Sequence, residues 1–503
     1  MKHTDIHFAA SAPQRLISVP VPDPEPDNQT PPALKAMLAA IPPAADALGR
    51  MFARHDHELA LVGGPVRDLF LRRPVRDLDL TTDAHPERVI EITSGWADAT
   101  WTVGIAYGTV GLRKGDAIIE ITTYRSERYD RESRKPAVNY GRSLTDDLVR
   151  RDFTINAMAA TLPAHDLVDP FGGLADLARK VLRTPGAPAD SFDDDPLRIL
   201  RAARFTAELG FTPTEETEQA MAEFAPRLEI VSAERIGAEL TKLLLAAREG
   251  GPSAGIDLLT RTGAAGYFLP EVPKLRLEVD EHHRHKDVYR HSLTVLDQAI
   301  ALEPRYELDR DLRLRLAALL HDIGKPKTRS LLPDGRVAFH HHDVVGAKLA
   351  KARLRALRFP SDVIADVARL IEEHLRFHGF GTGEWTDSAV RRYVTDAGPL
   401  LTRLHALTRA DCTTRNRAKA QRLARSYDEL EDRISELAEQ EELAAIRPDL
   451  DGHEIMGLLD IPPGPLVGKA YQYLLELRLE RGPLGHDEAV QELLRWAEGQ
   501  DRK

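Results

Sequence analysis

Apolar and polar residues alternate along the chain with two different periods, and the period changes near residue 190. Between residues 59 and 125 the apolar runs are short and separated by turn residues, as in ELALVGG, RDLDLTT and AIIEITTY, which predicts strands. After residue 190, segments such as DPLRILRAARFTAELG and LRLRLAALLHDIG repeat apolar residues at helical spacing. The pattern predicts an α+β protein, in which a small head of mixed sheet and helices precedes a long all-α body.

The same pattern divides the chain into segments. Residues near the start are rich in proline, aspartate and serine, as in VPVPDPEPDNQTPP, and are typical of a disordered tail. A helix is expected from about residue 34 to 54, interrupted at Pro42 and Pro43. The predicted organisation is a disordered tail at 1–33, a head at 34–185, a helical neck at 186–270, a second helical domain at 271–412 and a helical tail at 413–503.

Composition and charge narrow the class of protein. The 503 residues are 42% hydrophobic and 29% charged, and no segment has the long apolar run of a membrane helix, so no membrane partner is expected. The single cysteine, Cys412, rules out an internal disulfide and fits a reducing cytoplasm, which is the expected location. The net charge of −11 argues against a protein that coats nucleic acid non-specifically, although arginines cluster at 125–151 and 198–204.

The first candidate functional site is the pair of aspartates in RDLDL. Asp77 and Asp79 are two residues apart, so in a strand their carboxylates lie on one face, with Leu78 directed to the core. Adjacent carboxylates repel each other unless a cation lies between them, and Mg²⁺ prefers such oxygen ligands. This spacing alone is explained better by charges on a solvated edge strand.

Neighbouring residues favour a metal and phosphate site over a solvated edge strand. Gly63 and Gly64 follow the apolar run LALV, where small residues let the backbone N–H groups approach a phosphate. Arg67 comes next, on the expected first turn of a helix, and can add a charge-assisted hydrogen bond to a triphosphate. Glu120 alternates with Ile119 and Ile121 in a strand pattern, so it joins the aspartates if its strand is adjacent, and faces solvent otherwise.

The order of these and later motifs resembles that of the class II CCA-adding tRNA nucleotidyltransferases, which belong to the polymerase-β-like nucleotidyltransferase superfamily. The resemblance covers roughly residues 34–250. It implies template-independent addition of CCA to the 3′ end of tRNA, with CTP and ATP as substrates and Mg²⁺ as cofactor. The motifs are LVGGPVRDLFLRRPVRDLDL (61–80), DLVRRDFTINAMA (147–159), DPFGGLADLARKVLRT (169–184), DDPLRILRAARF (194–205) and AERIGAELTKLLL (233–245).

The resemblance also implies roles for single residues. Asp77 and Asp79 would bind Mg²⁺ and activate the tRNA 3′-hydroxyl. Glu120 is a third candidate catalytic carboxylate on its strand pattern, and the resemblance does not assign it. The residues implied in nucleotide binding are Gly63, Gly64, Arg67, Arg151, Asp152, Asn156, Asp195, Arg198, Arg201 and Arg204.

The fourth motif would select the base. Asp195 and Arg198 are three residues apart, which predicts that they share one face of a helix. An aspartate accepts from the exocyclic amine of cytosine or adenine, and an arginine donates to ring acceptors. Arg201 and Arg204 continue that face and would meet phosphate, unless it is an exposed arginine-rich surface. The sequence departs from the family at Asp194, where glutamate is common.

A second constellation lies in the helical body. Histidines and aspartates follow the order His…His-Asp…His…His…Asp, which suits a helical metal site with nitrogen and oxygen ligands. The order resembles the HD phosphohydrolase superfamily and implies a divalent metal and an activity on phosphate esters. Within FHHHD, His342 is favoured because HDVVGA matches the family pattern. The implied ligands are His291, His321, Asp322, His342, His374 and Asp411.

Three alternatives remain open. A bacterial poly(A) polymerase shares this head but usually carries a strongly basic tail. An enzyme that adds only CC or only A is a second alternative, against which the polar loop at 125–146 favours complete CCA addition. The third belongs to another class: an HD phosphohydrolase that acts on RNA ends, with a head that only binds RNA. The resemblance implies that Lys469 and several arginines of the helical tail contact tRNA, although a solvated amphipathic helix pair explains most of these charges better.

Overall fold

The computed structural model describes most of the chain, with gaps at both ends and in several loops. The predicted disordered tail and most of the predicted loop at 125–146 lie outside the described residues. Those residues are 31–75, 77–125, 140–141, 143–247, 249–277, 287–333, 337–377, 386–413, 417–441 and 446–500.

The strands of the head form one seven-stranded mixed sheet, in the order β3-β4-β5-β2-β1-β6-β7. All neighbours are antiparallel except β2 and β5, which run parallel. The predicted mixed sheet is confirmed. The strands are β1 (Leu59–Val62), β2 (Asp77–Thr82), β3 (Ala99–Trp101), β4 (Thr109–Lys114), β5 (Ala117–Thr123), β6 (Ala159–Thr161) and β7 (Leu167–Val168), followed by the short pairs β8 (Val181–Leu182) with β9 (Thr212–Pro213) and β10 (Arg329–Leu331) with β11 (Val337–Phe339).

Helices alternate with the strands of the head and make up most of the chain that follows, so the predicted α+β class is confirmed. Helix α1 ends before Pro42 and α2 begins at Pro43, which confirms the predicted interruption. The helices up to residue 224 are α1 (Pro32–Leu38), α2 (Pro43–Ala53), α3 (Gly64–Phe70), α4 (Pro86–Thr93), α5 (Leu144–Val149), α6 (Gly173–Arg179), α7 (Pro188–Asp194), α8 (Arg198–Leu209) and α9 (Glu215–Phe224).

Fifteen further α-helices follow among the described residues of the helical body. No helix among the described residues combines the length and apolar character that crossing a bilayer requires. The helices are α10 (Ala233–Leu244), α11 (Pro252–Arg261), α12 (Ala265–Phe268), α13 (Glu271–Lys274), α14 (Val288–Leu302), α15 (Leu312–Leu320), α16 (Lys325–Thr328), α17 (His342–Ala356), α18 (Ser361–Glu373), α19 (Asp387–Ala397), α20 (Leu401–Asp411), α21 (Arg417–Glu441), α22 (Gly452–Leu459), α23 (Pro465–Arg481) and α24 (His486–Gln500).

The chain divides into two compact units. The first comprises the described residues up to Arg198 together with Phe211–Phe224, and the second comprises Ile199–Gly210 together with the described residues from Ala225 onward. In the first unit, leucines and isoleucines on alternate positions of β1, β2 and β5 form the core beneath one face of the sheet. The opposite face carries the polar positions of β2 and β5, which is where the candidate site lies.

The second unit is built around α15. Every residue of α15 from Leu314 to Leu320 is buried, which is the pattern of a helix that other helices surround on all sides. Its one buried charge, Arg315, donates from Nε and Nη2 to the carboxylate of Glu303, each at 2.7 Å. Because α15 ends inside the unit, the residues that follow Leu320 are placed in its interior.

Candidate active sites

Two strands bring three carboxylates to one face of the head sheet. Asp77 and Asp79 are exposed on β2, and Leu78 between them is buried on the other face, as predicted. Because β5 runs parallel to β2, its Glu120 lies directly across from Asp79. Partial burial and the negative charges of Asp79 and Asp77 raise the pKa of Glu120 above its ordinary value. An oxygen-rich, mutually repelling group of this kind fits Mg²⁺, which would relieve the repulsion.

Replacing Glu120 by glutamine is expected to have opposite effects on stability without metal and on catalysis with it. Because the pKa of Glu120 is raised in the folded protein, stability falls as pH rises from the ordinary glutamate pKa through the raised one. In EDTA at neutral pH, Glu120→Gln should therefore unfold at a higher temperature than the wild type. With Mg²⁺, it should add nucleotides about 10- to 100-fold more slowly, because the amide keeps one oxygen but lacks the negative charge beside the metal.

Thermal unfolding in EDTA across the acidic and neutral range measures the first effect, and single-turnover addition measures the second. The acidic arm is an internal control, because the two proteins should unfold at the same temperature once Glu120 is protonated in both states. Equal midpoints at every pH would show that the pKa of Glu120 is not raised in the folded protein.

The turn between β1 and α3 requires glycine at its first position. Gly63 has φ +74° and ψ −134°, a conformation that L side chains rarely adopt. A Cβ at this position would lie 2.7 Å from Nη1 of Arg151, so the backbone of the turn and this guanidinium are in close contact. Gly64 is the first residue of α3, and Arg67 follows one turn later. The first and second motifs therefore meet at this turn.

A chain of hydrogen bonds connects three more of the predicted residues. Nη1 of Arg67 donates to Oδ1 of Asn156 at 2.7 Å. Nδ2 of Asn156 donates to Oδ1 of Asp152 at 2.9 Å, and the same oxygen accepts from the backbone N–H of Phe153 at 2.8 Å. Asp152 and Asn156 are buried, so the partly buried guanidinium of Arg67 has a fixed support. The structure thus brings these three side chains together.

Asp147 is a further buried group at this site, and the sequence analysis did not single it out. Its carboxylate accepts from Nη2 of Arg150 at 2.6 Å and from Nη2 of Arg151 at 3.0 Å. Nη2 of Arg198 donates to the backbone carbonyl of Arg150, and Nη1 of Arg198 donates to Oγ of Ser191 at 2.7 Å. The available signal was an aspartate three and four residues before an Arg-Arg pair, the spacing of helical ion pairs.

The prediction that Asp195 and Arg198 share a helix face is wrong. Helix α7 ends at Asp194, and Asp195 has the extended conformation φ −139°, ψ 95°. The cause is Pro196, because a residue before proline is disfavoured in the helical region. Helix α8 begins only at Arg198, and Oδ1 of Asp195 accepts from the N–H of Leu197 at 3.2 Å. Asp195 therefore lies in the turn before α8, and Arg198 is the first residue of α8.

Arg201 and Arg204 lie further along α8, in the second unit. Nε of Arg204 is 2.9 Å from Oε2 of the buried Glu239, and its guanidinium covers the ring of Phe205 at 4.5 Å. The guanidinium of Arg201 lies 5.6 Å from the centre of the same ring. Contact of these arginines with phosphate stays a prediction.

The second unit brings all six predicted metal ligands of the HD pattern together at helix ends. They form two groups in which the candidate ligand atoms lie within 4.8 Å of one another, and Asp322 faces both groups. Its Oδ2 is 3.2 Å from Nε2 of His321, and its Oδ1 is 3.4 Å from Nε2 of His342. The groups are His291 with His321 and Asp411, and Asp322 with His342 and His374.

Backbone carbonyls orient the histidine rings. In His321, His342 and His374, Nδ1 lies 2.9, 2.8 and 2.6 Å from the carbonyl oxygen three residues earlier, so Nε2 points inward. His342 is buried, whereas His340 and His341 are exposed. Of these three histidines, only His342 therefore reaches the cluster.

The donor atoms of the cluster fit a divalent metal. Nε2 of His342 and Nε2 of His374 are buried and have no hydrogen-bond partner among the described residues. Burial and the neighbouring His321 lower the pKa of His374 to about 4, which keeps its ring neutral and able to ligate. Lys325 donates to Oδ2 of Asp322 at 2.9 Å and adds a positive charge at the rim. Imidazole and carboxylate donors in this mixture suit transition metals.

Known protein families match successive parts of the chain. Residues 59–183 match the poly A polymerase head domain, 210–275 the probable RNA and SrmB-binding site of polymerase A, and 288–416 the HD domain. An A-adding tRNA nucleotidyltransferase of Deinococcus radiodurans is 36% identical over 447 residues, which cover 87% of this chain and 95% of that protein. This chain belongs to the tRNA nucleotidyltransferase family.

Other members of the family match over different lengths. A CCA-adding enzyme of Anoxybacillus flavithermus is 42% identical over 229 residues, so the match covers 45% of this chain and 55% of that protein. A crystal structure of the Bacillus stearothermophilus CCA-adding enzyme in complex with CTP is 25% identical, with a TM-score of 0.65, and the match covers 92% of this chain and 99% of that one. The fold of the CCA-adding enzyme therefore extends over 92% of this chain.

Proposed function

We propose that this protein adds CCA to the 3′ end of tRNA from CTP and ATP. The observation that carries the proposal is the group of three carboxylates, Asp77 and Asp79 on β2 with Glu120 across from Asp79 on β5. A protein that only bound RNA would not need three repelling carboxylates on one face. The guanidiniums of Arg67, beside Gly64, and of Arg151, beside Gly63, supply the positive charge that a triphosphate requires.

The chemistry follows from these placements. Asp77 and Asp79 would hold Mg²⁺, which when bound favours deprotonation of the 3′-hydroxyl and neutralises the phosphates. The 3′-oxygen forms a bond to the α-phosphorus, and the bond to the β-phosphate oxygen breaks, so pyrophosphate leaves. Arg67 and Arg151 bind the triphosphate, and Asp195 and Arg198 pair with the edge of cytosine or adenine. No nucleic-acid template is needed, because the protein presents the hydrogen-bonding edge itself.

A second candidate function is addition of the terminal A alone. It is favoured by the relative that matches along nearly the whole chain, which is an A-adding enzyme, whereas the cited Anoxybacillus CCA-adding relative matches over about half of its length. Most of the loop at 125–146, whose length and polarity favour complete addition, lies outside the described residues. We place CCA addition first because the same Asp195 and Arg198 can serve both bases.

The deciding experiment uses tRNA transcripts that end before CCA or after CC, each with labelled CTP alone, ATP alone or both. The expected result is two C residues from CTP on the first transcript, one A from ATP on the second, and complete CCA from the mixture. Addition of A to the second transcript only would support the A-adding function. A long A tract would indicate a poly(A) polymerase, and no incorporation would favour an RNA-binding head.

We also propose that the HD cluster is a metal-dependent phosphohydrolase site. Six donors exceed what one tetrahedral metal needs, and they fall into two groups that Asp322 faces with separate oxygens. Two divalent ions, bound there, would lower the pKa of a bound water and clamp a phosphate ester. Lys325 would bind a phosphate oxygen at the rim. The substrate class is phosphate esters at RNA ends, which suits an enzyme that acts on tRNA.

A further inference from the structure

Asp147 is the most deeply buried charge of the head site. It lies on α5, and its side chain is completely buried. Oδ1 accepts from Nε and Nη2 of Arg150 at 3.1 and 2.6 Å, and Oδ2 accepts from Nη2 of Arg151 at 3.0 Å. One carboxylate therefore fixes two guanidiniums that both remain partly exposed.

Stability alone does not account for this arrangement. Burial raises the pKa of Asp147, and the charges of Arg151 and Arg150 outweigh burial, so that the pKa is lowered and the group stays ionised. A buried ion pair is often no more stabilising than apolar residues of the same volume, because desolvation offsets the attraction. The arrangement is better explained by the fixed positions that it gives the guanidiniums of Arg150 and Arg151.

Arg151 has the environment of a side chain that is held for a ligand. Its Nη1 is directed at Gly63, in the turn where the triphosphate is expected. Its Nε is buried without a hydrogen-bond partner among the described residues. Without Asp147, this guanidinium would have no fixed orientation against the turn.

Arg150 connects the carboxylate of Asp147 to Arg198, the arginine proposed to select the base. Its guanidinium is bound to Asp147, and its backbone carbonyl accepts from Nη2 of Arg198. Arg198 has a second fixed point at Ser191, so both ends of its guanidinium have defined partners. The phosphate-binding and base-reading arginines are thus connected through one buried side chain.

We infer that Asp147 is a positioning residue for nucleotide binding, which sets the place of Arg151 for the triphosphate and of Arg198 for the base. The inference rests on the proposed nucleotidyl transfer. Asp147 touches no reacting atom. It acts on Arg151 directly and on Arg198 through Arg150. Its loss should therefore weaken nucleotide binding more than it slows the chemical step.

The test compares Asp147→Asn with the wild type in steady-state addition of C and of A to tRNA. KM for CTP and for ATP should rise about 10- to 100-fold, the effect of removing a hydrogen-bonded charge, while kcat changes only a few-fold and KM for tRNA stays the same. Asp147→Glu should recover part of the loss, because it restores the charge.

Glu303→Gln is the matched control. Glu303 is also a buried carboxylate that accepts from two guanidinium nitrogens, those of Arg315, and it lies in the second unit. Thermal unfolding of both variants separates stability from binding. The control should lower the unfolding temperature without raising KM for either nucleotide. Equal rises of KM in both variants would assign Asp147 a structural role only.

A double-mutant cycle with Arg151→Ala completes the test. If Asp147 acts through Arg151, adding Asp147→Asn to Arg151→Ala should leave most of the nucleotide KM unchanged. Additive losses, or a wild-type KM in Asp147→Asn, would overturn the inference while the wild type still adds nucleotides. Absence of addition by the wild type would instead refute the proposed function.

Discussion

Asp77→Ala is expected to abolish nucleotide addition and leave tRNA binding largely intact. Asp77 is exposed on β2, next to Asp79 on the same face, so its removal does not disturb the core beneath Leu78. It does remove one of the oxygens that would hold Mg²⁺. Since a bound metal contributes several kcal/mol of transition-state stabilisation, the rate should fall about 10³-fold or more.

Single-turnover extension of tRNA measures the rate, and a filter-binding or gel-shift assay measures tRNA affinity. Asp116→Ala is a suitable control, because Asp116 is an exposed aspartate in the turn between β4 and β5 of the same sheet. The control should extend tRNA at the wild-type rate. Extension by Asp77→Ala at that rate would mean that the metal site lies elsewhere.

The carboxylate face shows how far local sequence determines a site. Strand alternation is a local property, so the spacing of Asp77 and Asp79 predicted their common face. The position of Glu120 could not be predicted in the same way, because it depends on which strand lies beside β2 and in what register. That pairing is parallel and joins residues about forty positions apart, as in Asp79 and Glu120.

The sequence misled at Asp195 and did not reveal Asp147, for different physical reasons. Asp195 was placed on a helix because its spacing to Arg198 is helical, but the local effect of Pro196 is stronger than the pattern. Asp147 was missed because sequence does not show burial, and its role depends on being fully enclosed. The order of the HD ligands, in contrast, was readable from sequence, while their division into two groups required the folded chain.

Asp322→Ala is expected to remove phosphohydrolase activity and spare CCA addition. Asp322 is buried and directs one oxygen to His321 and the other to His342, so both groups of metal donors lose a ligand together. Although burial opposes it, the carboxylates of Asp322 and Asp411 raise the pKa of His321 to about 10 in the absence of metal. Without Asp322 the ring of His321 should titrate at lower pH, while metal binding weakens because the carboxylate is gone.

The measurement combines metal content, hydrolysis of phosphate esters and nucleotide addition by the same preparations. Hydrolysis should fall about 10³-fold or more as bound metal is lost, with addition unchanged. Asp362→Ala is the control, because Asp362 is an exposed aspartate on α18 that pairs with Arg313 outside the cluster. It should retain both metal and hydrolysis. Loss of both activities in Asp322→Ala would mean that the two sites are structurally coupled or that the metal ligands are assigned wrongly, and unchanged metal content would show that the cluster binds without Asp322.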